Sequence, residues 1–340
     1  MTSQIQVSPA LPASNKGGWL RRTLNVRELA PLTLLVVMSI VFGFISPEFL
    51  SPMNISNMLE FIAELGIIAV GVTLLMTAGE IDLSVGSVFG AVPTLMFVLY
   101  NDKILPFEAA FVVALLIAAL VGLANGLLVT KFRLSSFIVT IGSLLIVRGI
   151  AIYITSGSAQ ATYETQSWIK SVLIGTMVRA GEFNLGAYLA WFLGLALLAH
   201  LLLVRTRFGN WIQATGGNLG AAKARGVNTD TVKIVLFITC SVLACFAGII
   251  DALRVQAAYP IGGEGYELEV IAMAVIGGNL LWGGRGTIPG TVIGIFLLRS
   301  IRNGIIIIGV PGMAYNIFVG VIIIIMMMLN SVLARTRTGE

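Results

Sequence analysis

Charge is scarce in this sequence. Asp, Glu, Lys and Arg make up 11% of its 340 residues, and 57% of the residues are hydrophobic. A soluble domain carries about 25% charged and roughly 45–50% apolar residues. No water-soluble fold could cover so much apolar surface, so the composition predicts a polytopic helical membrane protein. Histidine is nearly missing as well. His200, within an apolar run, is the only one, which removes any His/Cys metal set and any Ser/His or Cys/His pair for nucleophilic catalysis. The two cysteines, Cys240 and Cys245, fall in one apolar segment. Five residues apart on a helix they point to different faces, so they read as small buried hydrophobes and not as a disulfide. No G-x-x-x-x-G-K-[ST] phosphate loop and no G-x-S-x-G elbow occurs. ATP hydrolysis is therefore not expected of this chain, and an enzyme reading has little support. The net charge of +5 lies in short basic clusters between apolar runs, with no broad basic domain for nucleic acid.

What is present is a series of apolar runs near the roughly 17–25 residues that span a bilayer. We place spans at Leu29–Ile45, Phe61–Ala78, about Ser84–Tyr100, Ala109–Thr130, Leu134–Thr155, Gly186–Val204 and Ile234–Leu253. A short apolar run follows at Leu268–Leu281, then a ninth span from Pro289 and a tenth at Met313–Leu329. The expected fold is all-α: a polytopic integral membrane protein of about ten transmembrane helices, some short or broken. Residues 1–28 read as a polar cytoplasmic tail and not a cleaved signal peptide, 29–329 as the transmembrane permease domain, and 330–340 as a cytoplasmic tail. Ten spans place both termini on one side, together with the basic N-terminal tail, Lys131, Arg133, the loop 205–233, Arg285, Arg335 and Arg337. The positive-inside rule makes that side the cytoplasm. Arg299 and Arg302 fit this scheme less well.

The most informative stretch is MTAGEIDLSVGSVFGA, between Met76 and Ala91. A long apolar run is broken by glycines and two carboxylates, then resumes. Lipid cannot satisfy the backbone of an interrupted helix, so the break must lie inside protein or beside water. Carboxylates at membrane depth mark a passage, a partner or a gate. Glu80, Asp82 and Ser84 are therefore candidates for a translocation pathway, the alternative being a solvated turn that caps the next helix. A weak echo follows the seventh span, where Gly263–Leu268 reads GEGYEL. Paired interruptions in spans of opposite orientation are the expected trace of inverted repeats, with a solute route between them. Tyr266 and Glu267 are candidates for the outer mouth. Asn279 faces either the route or a neighbouring helix.

Other residues carry simpler expectations. Arg148, inside the fifth span, needs a carboxylate or carbonyl partner. Asp251 and Arg254 can pair on one helix face, or Arg254 can meet a docking protein. In the loop 205–233, Asn218 can cap a short helix that ends at Arg225, with Gly226 just past it. So short a helix is unstable alone in water, which suggests that it packs on a partner.

The ordered phrases Gly79–Ser87 (GEIDLSVGS), Gly216–Val227 (GGNLGAAKARGV), Gly248–Arg254 (GIIDALR), Gly265–Leu268 (GYEL) and Val275–Gly286 (VIGGNLLWGGRG) resemble the membrane subunit of ribose-type sugar importers of the ATP-binding-cassette class. The resemblance runs from the first span to the last. It implies a permease in the bacterial inner membrane that works with a cytoplasmic ATPase carrying two nucleotide-binding domains, a soluble extracytoplasmic sugar-binding protein, and a second permease copy or close relative. No cofactor is expected in this chain, since ATP and Mg would be bound by the ATPase. Asn218, Ala221, Ala222, Arg225 and Gly226 become the ATPase-coupling residues. Glu80 departs from the glycine that many relatives carry there, which leaves room for a different sugar, a polyol or a sugar-like signal. A branched-chain amino acid or quorum signal as cargo, or a stand-alone channel or ion-coupled carrier, are the competing readings.

Overall fold

The computed structural model describes residues 26–162 and 165–311, with single residues at 314, 317, 318, 320, 321, 324 and 328. Most of the tenth expected span and of the N-terminal tail, and all of the C-terminal tail, lie outside the described residues.

The described chain is helical nearly throughout. In order it forms α1 (Val26–Ile45), a 3-10 turn (Pro47–Leu50), α2 (Pro52–Thr77), α3 (Val85–Asn101), α4 (Phe107–Lys131), α5 (Ser136–Thr155), β1 (Gln160–Ala161), α6 (Trp168–Ile174), β2 (Thr176–Ala180), β3 (Phe183–Gly186), α7 (Ala187–Arg205), α8 (Arg207–Gly217), α9 (Leu219–Ala224), α10 (Thr229–Val255), β4 (Ala257–Ala258), α11 (Tyr266–Ile276) and α12 (Ile288–Ile307). Seven helices, namely α1, α2, α4, α5, α7, α10 and α12, are long and apolar enough to cross a membrane. The expected third and eighth spans are α3, of 17 residues, and α11, of 11 residues. The short elements are therefore those that follow the two interruptions.

Local signals explain the ends. Ser51 caps α2 by accepting from Asn54 N–H at 3.2 Å, and Pro52 opens the helix. A missing proline N–H costs nothing at that position. The helix thus begins nine residues before Phe61, through Asn54, Ser56, Asn57 and Glu60, a stretch too polar to read as membrane span. Asn228 caps α10, accepting from Thr231 N–H at 3.1 Å. The polar segment between α5 and α7 gains order from two small antiparallel ribbons, β1 with β4 and β2 with β3. Ser167 caps α6 and donates to Glu108 on α4 at 2.7 Å.

Burial sorts the helices. The apolar window of α2 is 78% buried and that of α10 56%, against 17% for α1 and α5. With α12, whose window is 61% buried, α2 and α10 form the centre, and α1 and α5 have one broad face each with no described residue over it. The helices at the centre approach through glycine. A Cβ at Gly248 on α10 would lie 1.9 Å from the Phe89 carbonyl oxygen of α3, and one at Gly122 on α4 would lie 2.5 Å from the Phe237 carbonyl oxygen of α10. Without a hydrophobic force between helices in lipid, such close backbone packing supplies the cohesion. Gly248→Ala should lower stability by about 1–3 kcal/mol through overpacking. The expected reading is a reduced thermal midpoint in detergent. Gly194→Ala on α7, where nothing lies within 4 Å, should leave the midpoint unchanged.

Candidate functional site

The first interruption, residues 78–84, is a non-helical stretch of chain that starts at the surface at Gly79 and is buried in the bundle from Asp82 to Ser84. Its backbone is satisfied by hydroxyls of α5: Ile81 N–H donates to Ser136 Oγ at 3.4 Å and Leu83 N–H to Thr140 Oγ1 at 3.0 Å. Ser136 and Thr140 are one helical turn apart, so the segment climbs alongside α5 before α3 begins. Asp82 is fully buried. Its Oδ1 accepts from Ser84 N–H at 2.8 Å and Ser84 Oγ–H at 2.5 Å. Asn125 on α4 donates to Ser84 Oγ at 3.0 Å and accepts in turn from Ser143 on α5. Asp82 Oδ2 is buried with no hydrogen-bond partner among the described residues. Asp82 is therefore no solvated residue of a surface turn. Glu80 pairs with Lys233 in the first turn of α10.

The second interruption lies against the first turns of α3, just after the first interruption. A Cβ at Gly90 on α3 would come 2.1 Å from the Gly262 carbonyl oxygen. One at Gly86 would come 2.6 Å from the Gly263 carbonyl oxygen and 2.1 Å from Glu267 Oε2. The rings of Phe89 and Tyr266 lie 5.2 Å apart. The start of α3 and the start of α11 are thus neighbours. Glu267 Oε2, like Asp82 Oδ2, is buried and has no hydrogen-bond partner among the described residues. Asn279 is placed differently. It closes the loop 277–287 by donating to the Ala274 carbonyl and to Thr291 Oγ1, each at 2.7 Å, and by accepting from Thr287 N–H at 2.6 Å.

Below the interruptions three segments meet backbone to backbone. Gly284 N–H donates to the Thr77 carbonyl, the last residue of α2, at 2.8 Å. Cβ atoms at Gly283 and Gly284 would fall 2.7 Å from the Cα atoms of Gly79 and Gly217 respectively, and both residues have φ of +84°. Only glycine combines that backbone conformation with that contact. Gly216 and Gly217 end α8 and lead directly into Asn218. Asn218 accepts from Ala221 N–H at 2.9 Å and so caps α9, and Gly226 turns the chain out with φ of +80°. Ala222 is buried, while Leu219, Ala221, Lys223 and Arg225 are exposed. A short capped helix with a bare outer face is fastened at its root to the first interruption, at Gly79, and to the loop between α11 and α12, at Gly283 and Gly284. The sequence marked every glycine of this junction, but not their meeting.

At the opposite end of the bundle, Arg254 of α10 gathers three carboxylates. Its Nε lies 2.5 Å from Glu64 Oε1, and its other nitrogens lie 3.2 Å from Glu60 Oε2 and Asp251 Oδ1. The expected local pair with Asp251 exists, but α2 supplies the larger share through Glu60 and Glu64. Beside it, Arg299 of α12 lies 3.3 Å from Glu269 of α11 and Arg302 lies 3.7 Å from the same carboxylate. The two arginines that fitted poorly with the charge rule are thus held by an acid inside the protein. An arginine within a span demands such a partner, and that requirement was the available signal. Arg148 is different: its Nε and Nη2 are buried without a hydrogen-bond partner among the described residues. Arg254→Met should leave Glu64, 2% exposed, as an uncompensated buried charge and cost about 3–5 kcal/mol. Arg254→Met with Glu64→Leu should recover much of that loss, read as thermal midpoints in detergent.

Comparison with known proteins fits this geometry. The ribose import permease protein RbsC of Escherichia coli (strain K12) is 35% identical over 313 residues, covering 89% of this chain and 94% of that protein. RbsC of Bacillus subtilis (strain 168) is 33% identical over 312 residues, 90% of this chain and 93% of that protein. The xylose/arabinose import permease protein XylH of Sulfolobus acidocaldarius is 34% identical over 305 residues, 87% and 82% of the two chains. No solved structure matches the chain. Residues 54–327 match the family described as branched-chain amino acid transport system / permease component, and the chain belongs to that family: it is a membrane permease and not an enzyme.

Proposed function

We propose that this protein is the membrane-spanning subunit of an ATP-driven importer that moves a monosaccharide or related polyol into the cytoplasm. The relatives that support the cargo are permeases for ribose and for xylose or arabinose. The observation that carries the mechanism is the junction of the root of α9 with the first interruption and with the loop between α11 and α12, through Gly79, Gly216, Gly217, Gly283 and Gly284. In this reading a cytoplasmic ATPase with two nucleotide-binding domains holds ATP and Mg and grips α9 by Asn218, Ala221, Ala222, Arg225 and Gly226. Its closure shifts α9, and the rigid glycine contacts pass the shift to the ends of α2 and to the loop before α12. The two interruptions then rearrange around the solute. Asp82 Oδ2 and Glu267 Oε2, unpaired acceptors beside the breaks, are suited to receive sugar hydroxyls. Glu80, Ser84, Tyr266 and Asn279 complete the pathway or hold its walls.

Both termini are cytoplasmic in this arrangement, in the inner membrane of a bacterium. The Arg254 cluster then faces outward, where a soluble sugar-binding protein delivers the solute. A second permease copy or close relative packs across α5. The support is a bare α5 face on which Leu145 and Ile146 are exposed and Gly142 and Gly149 have nothing within 4 Å, with the unpaired Arg148 guanidinium beside them. A partner there would cover the glycines and supply acceptors for the arginine.

Two experiments test the reading. Ala221→Asp with Arg225→Asp should reduce ATPase association and ATP-driven uptake at least about tenfold, as removal of a central anchor does. Retained association and uptake would remove α9 from the coupling role. Leu145→Cys should form a permease–permease crosslink on oxidation in membranes, whereas Leu197→Cys on α7 should not. A crosslink from α7 alone would move the second copy to another face.

A further inference from the structure

A cavity of about 170 Å³ lies between α2, α11 and α12, at the end of the bundle opposite α9, and is lined by Met58, Phe61, Tyr266, Arg299, Arg302 and Asn303 among others. That is about the liquid volume of six water molecules. Arg299 is 4% exposed. Its Nη2 lies 3.3 Å from Glu269 in an ion pair, whereas its Nε is buried without a hydrogen-bond partner among the described residues. A buried guanidinium N–H left unmade is expensive, so the cavity wall holds a donor that lacks its acceptor. The guanidinium carbon lies 6.0 Å from the ring centres of both Phe61 and Tyr266. Asn303 exchanges reciprocal amide hydrogen bonds with Asn54, at 2.9 and 2.8 Å, which fixes that wall.

We infer that this cavity is a holding site for a neutral polyhydroxylated solute, a monosaccharide or polyol, with Arg299 donating to a hydroxyl and Phe61 and Tyr266 offering their faces to its C–H edges. The inference rests on the sugar-importer reading and adds a place for the solute inside the permease. Charge selects the class. Arg299 and Arg302 are both opposed by Glu269, and the Glu60, Glu64, Asp251 and Arg254 group next to them carries an excess of carboxylate. A solute anion would meet that excess and a solute cation would meet the arginines, whereas hydroxyls satisfy an orphaned donor without adding charge. Tyr266, the first residue of α11, also packs on Phe89 of α3, so a solute held there lies beside the end of the second interruption.

The test uses the permease purified with its ATPase and no binding protein, with D-ribose and D-xylose as probes, read by saturation-transfer NMR. Uptake by the complete complex in liposomes is measured in parallel. Saturable binding of one sugar is expected, weakened about tenfold by Arg299→Lys, which keeps the charge opposite Glu269 but loses the Nε donor. Phe61→Leu should weaken it similarly, and Leu197→Ala on α7 should not. Size-exclusion profiles with the ATPase check that each variant is folded. ATP-driven uptake of either sugar combined with binding that ignores both cavity substitutions, or with no saturable binding, overturns the cavity assignment alone. Failure of the wild-type complex to take up either sugar overturns the cargo reading and this site with it.

Discussion

The structure depends on one constraint: a peptide group in hydrocarbon must find its hydrogen-bond partner within the protein. Helices α3 and α11 do not span from one side to the other, and the chain before each is not helical. Those stretches survive because neighbouring helices supply what the helix would have supplied. Ser136 and Thr140 receive N–H groups of residues 81 and 83, and Asp82 receives both donors of Ser84. Asn279 and Thr77 perform the same service for the loop before α12. Hydroxyls and amides in this protein are therefore concentrated where the backbone leaves the helix, and the lipid-facing surfaces of α1, α5 and α7 are almost wholly aliphatic.

The same constraint explains the glycines. A segment that must lie on three neighbours at backbone distance has no room for Cβ atoms, so the glycines of three separate phrases converge at one junction. Backbone contact of this kind is stiff, because packed interfaces rearrange between discrete arrangements and do not deform smoothly. A short helix set on such a junction is coupled to the end of α2 and to the loop before α12 together. The charged cluster around Arg254 does the opposite work at the far end. It ties α2 to α10 with long side chains that can change partners among Glu60, Glu64 and Asp251. The molecule is rigid where force would enter and adaptable where solute would enter.

Much of this was legible in the sequence. The paired interruptions, the Asn218 cap, the Gly226 exit and the pairing of Asp251 with Arg254 all follow from local rules of period, capping and charge cost. Nine of the ten expected apolar runs fall on helices. The errors have a common cause. The beginning of α2 before Phe61 did not look like membrane because Asn54, Ser56, Asn57 and Glu60 are polar, and the partner of Glu60, Arg254, lies far along the chain. Arg299 looked misplaced because its acid, Glu269, lies on another helix. The polar stretch between α5 and α7 acquires α6 and two ribbons that no apolar period announces.

By itself the sequence determined that this is a helical membrane protein, where its helices break, where a short capped helix projects, and that no catalytic constellation is present. Each of those properties is set within a few residues, by hydrophobic period, by glycine and by the high cost of charge in lipid. Only the tertiary structure decided that the second interruption packs on the start of α3, that three glycine phrases form one junction, and that Arg254 and Arg299 are held by α2 and α11. Those are meetings between distant segments, governed by which helix faces fit at backbone distance, and no local pattern encodes that fit.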